Sequence, residues 1–312
     1  MASLLYLGAG VVMLIVILLQ NQKVREREAR ITKRDLPFTA AMVALDIAAP
    51  IMLMIGLSLS NPATASLLGN FEIVATTVIA LVVFKEAVGK RMWQAVCLIT
   101  ASSMILSFED FWNLKISLGA ALVLLACFCW GMENNCTRML SLKNPLQIVV
   151  IKGIGSGGGA LLIAYFTGNI SINILYIGLS LLLGFIAYGL GIYFYIFAQR
   201  SLGAARTSAY YAFAPFIGMG LSFAIFREPP TVSFVIAFII MAAGAYLAAF
   251  EKHAHEHRHA QTEHEHRHDH NDEHHNHKHE PLESGEHSHL HTHAPLQHTH
   301  THTPDLHHGH TH

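Results

Sequence analysis

Long apolar runs follow one another from Met1 to about residue 252 with only short polar breaks between them, and this pattern constrains the fold more than any other feature. A helix needs about 20 predominantly apolar residues to cross bilayer hydrocarbon, and there it satisfies its own backbone polar groups. Nine such runs are present, at about 3–20, 36–59, 63–84, 92–108, 116–136, 145–166, 173–198, 207–226 and 231–250. The expected fold class is therefore all-α integral membrane, with about nine transmembrane helices and loops too short for an extramembrane domain.

The chain changes character near residue 252. Residues 1–252 hold no histidine and carry 17 Lys and Arg against 11 Asp and Glu, a formal charge of +6. The last 60 residues hold all 23 histidines, with 10 acidic and three basic residues (Arg258, Arg267, Lys278), and contain no Ile, Val, Phe, Tyr, Trp, Met or Cys. Such a segment cannot build an apolar core and is expected to be disordered without a ligand.

Basic residues in short loops are retained on the cytoplasmic side and set the threading. Lys23, Arg25, Arg27, Arg30, Lys33 and Arg34 follow the first run; Lys85, Lys90, Arg91, Arg138, Lys143, Arg200 and Arg206 fall on the same side, against Lys115 and Arg227 opposite. This puts the amino terminus outside and the tail in the cytoplasm. The basic cluster follows the first apolar run instead of preceding it, which fits an outside-to-inside helix better than a signal peptide. Cys97, Cys127, Cys129 and Cys136 all lie within spans and read as small packing residues; Cys127 and Cys129, two apart, fall on different helix faces.

Sliding the sequence against itself by 142 residues aligns 63–108 with 205–250, matching Ser66 with Ser208, Phe71 with Phe213, and Phe84-Lys85-Glu86 with Phe226-Arg227-Glu228. Lys85 is expected inside and Arg227 outside, so the repeats have opposite topology, the arrangement in which transporters bind substrate near the midplane. On this offset the fifth helix would map before Met1. A complete version would hold five plus five helices; a start codon assigned too late and a natural nine-helix variant both account for the difference.

Three features together resemble the EamA-type members of the drug/metabolite transporter superfamily: Trp130-Gly131 near the end of a helix that opens a repeat, the segment 209–228 with Pro215 in its apolar run and Arg227-Glu228 at its close, and the sister segment 65–86. The resemblance implies a first repeat of four helices over 1–110, a second of five over 111–252, and a separate tail over 253–312. Where the family pattern has Glu-Pro in the first repeat, this chain has Glu72-Ile73.

An ionisable side chain at the bilayer centre costs about 2.5–3.5 kcal/mol on insertion scales, so those present should face protein or water. Asp46, Glu72, Glu133 (beside Asn134 and Asn135) and Lys152 are such residues. With Asn134 and Pro215 they form the candidate substrate pathway, in which a carboxylate accepts a proton or a cationic solute and Lys152 supplies a partner charge. The alternative is an internal ion pair or a residue at the interface. The glycines after Ile151 sit inside one apolar helix without βαβ context, which discounts a nucleotide loop. Gly155 and Gly159 are instead expected to form a small-xxx-small packing face.

In the tail, His253, His255, His257 and His259 alternate, as do His264, His266, His268 and His270. His274, His275, His277 and His279 follow, then His287, His289, His291 and His293. Alternate residues of an extended chain fall on one side. Neutral imidazole is a good ligand for Zn, Ni and Co, and four ligands per tetrahedral ion allow roughly five zinc ions at most. Affinity should fall as histidine protonates below about pH 6.5.

The function expected is a secondary transporter moving a small metabolite or divalent metal ion by alternating access, in the plasma membrane, with a cytoplasmic metal-binding tail; the alternative is a non-transporting membrane metal sensor or store. No nucleophile, base and third-group constellation is present, so no enzymatic activity is expected. No cofactor is required beyond the Zn, Ni or Co held by the tail. Expected partners are the lipid bilayer and the solute or metal ion, with no nucleic acid; a homodimer is one assembly open to such a chain.

Overall fold

The computed structural model describes residues 1–20, 28–59, 68–69, 71–86, 88–106, 118–168, 173–226, 232–249, 253–259, 262–268, 287–293 and 296–302. Its helices are α1 (Ala2–Leu19), α2 (Leu36–Leu59), α3 (Phe71–Val82), α4 (Lys90–Leu106), α5 (Leu118–Leu140), α6 (Pro145–Phe166), α7 (Ile174–Leu183), α8 (Gly191–Tyr211), α9 (Ala214–Phe226) and α10 (Val232–Ala249). A π-helical stretch, Gly184–Leu190, joins α7 to α8.

Local chemistry sets several of these starts. Asn144 caps α6 by accepting from the Leu146 and Gln147 amides at 2.9 and 3.4 Å, with Pro145 in the first turn where its missing N–H costs nothing. Asn173 caps α7 through Tyr176 N–H at 3.1 Å. Ahead of α2, Thr32 donates from both its amide and its hydroxyl to the Asp35 carboxylate at 2.8 Å.

Each expected span falls on a described helix, and five helices, over Ala2–Leu19, Lys33–Leu59, Leu118–Leu140, Pro145–Phe166 and Ile174–Tyr211, are long and apolar enough to cross a bilayer, with shorter apolar ones besides. The surface is inverted relative to a protein in water. Leu18, Phe166, Ile174 and Leu175 are largely exposed, whereas Asp46, Glu133, Lys152, Gln199 and Arg206 are buried. That distribution is stable only where hydrocarbon takes the place of water.

The seventh and eighth spans differ from expectation. In place of a loop between 198 and 207, helix continues through Arg200 to Tyr211, interrupted at Gly203 (φ 78°, ψ 175°), and the turn comes later, at 212–213. Glycine adopts this positive φ without steric penalty. The buried Glu86 carboxylate accepts the Ala204 N–H at 3.2 Å, capping the new helical segment just past the break.

The chain folds as two compact units. One comprises Met1–Ala44, Cys136–Arg200 and Ala254–Thr301. Here α1 packs on α6, α7 and the π stretch through glycines. A Cβ on Gly153 would lie 2.5 Å from the Gly10 Cα, one on Gly157 2.8 Å from the Leu7 amide, and one on Gly184 would collide with the Leu5 carbonyl. Small residues permit this backbone approach, the usual source of cohesion between helices in lipid. The face toward α1 is therefore Gly153-xxx-Gly157; Gly155, two positions along and so turned by about 200°, instead faces α2, where its Cβ would lie 3.0 Å from the Val43 side chain. In the same unit Arg200 donates to the Ser141 carbonyl (2.7 Å), the Lys143 carbonyl (2.8 Å) and the Glu28 carboxylate (3.1 Å).

The other unit comprises Leu45–Asn135, Ser201–His253 and His302–His312. Its core is formed by α4 with α10 and α3, around Ile73, Met92, Val96, Ile99, Phe216 and Met241. Ser102 donates to the Ala237 carbonyl between α4 and α10. Where α2 meets α5, a Cβ on Gly119 would lie 2.8 Å from the Gly56 carbonyl oxygen.

In the tail four seven-residue extended segments are described: β1 (His253–His259), β2 (Thr262–His268), β3 (His287–His293) and β4 (Leu296–His302), with β1 beside β4 and β2 antiparallel to β3. The strict alternation of residue types suits extended backbone even without an apolar core. His270, His274, His275, His277 and His279 lie outside the described residues, as do Ser66, Lys115, Arg227 and Glu228.

Candidate functional site in the membrane

The polar residues singled out from the sequence meet most closely where α3 crosses α5. Gly131 makes the crossing tight: a Cβ there would lie 2.8 Å from the Thr76 amide and 3.0 Å from Ala75. With the two backbones this close, short amide side chains span from one helix to the other. Asn134 Nδ2 donates to Glu72 Oε1 at 3.2 Å and to Thr76 Oγ1 at 3.3 Å. Asn135 Nδ2 donates to the Thr76 carbonyl at 3.0 Å and to its own helix at the Gly131 carbonyl at 2.8 Å. Thr76 Oγ1 in turn donates to the Glu72 carbonyl at 2.8 Å.

The result is a polar seam inside an apolar unit. Thr76, Thr77, Asn134 and Asn135 are buried, and Glu72 is half-buried. Asn135 Oδ1, fully buried, has no hydrogen-bond donor among the described residues. A buried acceptor without a donor costs about 1–3 kcal/mol. Beside the seam, Cys127 Sγ donates to the Leu68 and Gly69 carbonyls at 3.4 and 3.5 Å, which fits its expected packing role.

The remaining candidates are distributed. Glu133 is buried on α5 next to Asn134, and Asp46 is buried on α2 of the same unit. Lys152 is buried on α6, which belongs to the other unit. Pro215 occupies the first turn of α9, a position where proline does not kink a helix. Among the described residues no group of three or more His, Cys, Asp and Glu side chains is placed to hold a metal ion.

Sequence reasoning missed one contributor to the seam and one signal in α2. Thr76 lies four residues after Glu72, hence on the same helix face, and that spacing could have found it. Pro50, inside α2, cannot donate to the carbonyl of Asp46 four residues earlier. An acid at i−4 from a proline inside a membrane helix is a legible signal for a locally polar backbone.

A family model for the EamA-like transporter family matches residues 1–108 and 117–250. The chain belongs to the EamA-like transporter family. It is accordingly an integral membrane protein and a transporter of small solutes, in a family whose members are generally not enzymes. Among curated proteins, this EamA-like chain is similar to an uncharacterized transporter of Methanothermobacter thermautotrophicus, 27% identical over 231 residues, covering 71% of this chain and 67% of the relative. It is also similar to the uncharacterized transporter YyaM of Bacillus subtilis, 20% identical over 207 residues, covering 64% of this chain and 68% of that one. A protein of known crystal structure superposes with a TM-score of 0.66 at 14% identity, covering 79% of this chain and 85% of its own, which shows a shared fold.

Proposed function

We propose that this EamA-like protein is a secondary transporter working by alternating access, in which Glu72 accepts a proton or a cationic solute and the tail binds divalent metal in the cytoplasm. The observation that carries the reading is the Glu72–Asn134 pair at 3.2 Å in the α3–α5 seam. An intramembrane carboxylate is costly and is kept where it does work. The neutral Asn134 amide binds the Glu72 carboxyl group without cancelling its charge, which leaves Glu72 able to take a proton or a cation. The opposed topology of the sequence repeats supports alternating access. The sequence bias of 13 basic residues against two on alternate sides of the expected spans supports a tail on the cytoplasmic side, and we read the membrane as the plasma membrane.

The test is flux in proteoliposomes holding the full chain, a pH-sensitive dye and a metal-sensitive dye, with Zn, Ni and a panel of amines and amino acids as probes. The expected result is probe-driven flux that falls at least ~10-fold in Glu72→Gln, since loss of a charge-assisted interaction of about 1.5–3 kcal/mol corresponds to that factor or more. Flux unchanged in Glu72→Gln refutes the assignment of the site. Metal flux that changes on deletion of 253–312 makes the solute a metal ion and the tail a capture arm. Metal binding with no flux of any probe favours the sensor or store.

A further inference from the structure

The segment that leads into α2 turns its acids inward and its bases outward. Its backbone is tied down at successive points. The Asn144 amide donates to the Ala29 carbonyl at 2.8 Å, the Ile31 amide donates to Gln147 Oε1 at 3.2 Å, and Thr32 closes on the Asp35 carboxylate across a 3-10 turn, Lys33–Asp35. Both carboxylates of residues 28–35 are used internally: Glu28 accepts from Arg200 at 3.1 Å, and Asp35 lies 3.8 Å from the Lys143 ammonium. The bases of the same stretch, Arg30, Lys33 and Arg34, are all exposed, and none of the three has an ion-pair partner among the described residues. A segment of mixed charge thus presents only its positive charge outward, on a backbone held in place.

These cations stand at the edge of the hydrocarbon. The span they open runs over Lys33–Leu59, and Leu36, Pro37 and Ala40, at its head, are exposed. Residues 36 and 40 share one helix face, so an apolar strip leads away from the charges along α2. At a rise of about 1.5–2.0 Å per residue, Lys33 and Arg34 lie within about 6 Å of Leu36 along the axis. The headgroup layer on each side of a bilayer is about 5–7 Å deep, so the three bases fall at the level of lipid phosphates. Lys23, Arg25 and Arg27 precede them in the sequence, and a basic cluster directly beside a membrane helix is the composition that recognises anionic lipid. We propose that Arg30, Lys33 and Arg34 form a binding site for the headgroup of an anionic phospholipid, with its acyl chains along the exposed Leu36–Ala40 face of α2. A zwitterionic headgroup carries its own cation and fits this array less well. A soluble phosphate meets the same charges but gains nothing from the apolar strip. The lipid site stands apart from the solute pathway and does not depend on the role of Glu72.

The test titrates the full chain, purified in a neutral detergent, with phosphatidylglycerol and separately with phosphatidylcholine, and counts bound lipid by native mass spectrometry. The triple variant Arg30→Gln/Lys33→Gln/Arg34→Gln is compared with the control Lys90→Gln/Arg91→Gln, which removes two exposed bases at the start of α4. Each cation near an anionic surface is worth about fivefold in affinity, so three together give about 100-fold. The expected result is a parent that prefers phosphatidylglycerol, a triple variant whose affinity for the first phosphatidylglycerol is lower by about tenfold or more with phosphatidylcholine unchanged, and a control close to the parent. All the substituted side chains are exposed, so both variants should keep the parent's melting temperature. An equal loss in the triple variant and the control reduces the effect to overall charge and overturns the site, as does a parent without preference between the two lipids. Phosphatidylglycerol that associates only once residues 253–312 are deleted names the acidic tail as the occupant and overturns the lipid assignment.

Discussion

Adding one methyl group at Gly153 should separate helices that the same methyl group five residues further on, at Gly158, would leave alone. In Gly153→Ala the new Cβ would sit 2.5 Å from the Gly10 Cα and amide nitrogen and 2.7 Å from the Tyr6 carbonyl oxygen. Unbonded carbons rest at about 3.5–4.0 Å, so α1 and α6 must part by about 1 Å or more. These contacts are backbone, which no change of rotamer relieves. Overpacking of this kind costs about 1–3 kcal/mol. Gly158→Ala is the control: it lies on the same helix, and its Cβ would meet nothing within 4 Å, so it should be neutral or stabilising by up to about 1 kcal/mol from reduced backbone entropy. Thermal unfolding in lipid nanodiscs, followed by helical circular dichroism, should place Gly153→Ala clearly below the parent and Gly158→Ala at or above it. Equal behaviour of the two variants would refute the close α1–α6 crossing.

Asn134→Leu and Asn135→Leu should each destabilise by about 0.6 kcal/mol and at most ~1.7, the range for hydrogen bonds between membrane helices; only Asn134→Leu, which removes the donor to Glu72, should also depress flux in the liposome assay. Arg200→Lys should fail to replace arginine, because a single ammonium cannot reach Ser141, Lys143 and Glu28 together; a loss of about 1.5–3 kcal/mol is expected, and a melting point equal to the parent's would sink the idea. Zinc affinity of the tail should fall between pH 7 and pH 5.5, since a protonated imidazole cannot bind metal and free imidazole side chains take up a proton at about pH 6.5; calorimetry at the two values reads it.

The spans were legible because crossing hydrocarbon demands some 20 apolar residues wherever the helix lies. What escaped were features that depend on a partner distant in sequence. The polar stretch around Gln199, Arg200 and Gly203 reads as a loop, yet it stays helical because Ser141, Lys143, Glu28 and Glu86 receive its donors. The π stretch at Gly184–Leu190 leaves no periodic trace in an all-apolar run. Within the site, Glu72 and Asn134 announced themselves by polarity in an apolar setting, but their pairing depends on the contact between Gly131 and Thr76, which no single helix encodes. The α1-facing stripe of α6, Gly153 and Gly157, was not singled out because five glycines between 153 and 159 offer several equivalent stripes.

The Glu86–Ala204 bond makes the break at Gly203 a hinge whose pin comes from 118 residues away. Gly203 alone would be a swivel, free to take many angles. With a carboxylate holding the Ala204 amide, the joint has a locked setting, and unlocking it costs one hydrogen bond to a charged group, about 1.5–3 kcal/mol. That is the scale of free energy by which ligands couple to conformational equilibria, about 1–3 kcal/mol. Straightening the backbone at Gly203 would therefore carry a cost of the same order as an ordinary binding event repays.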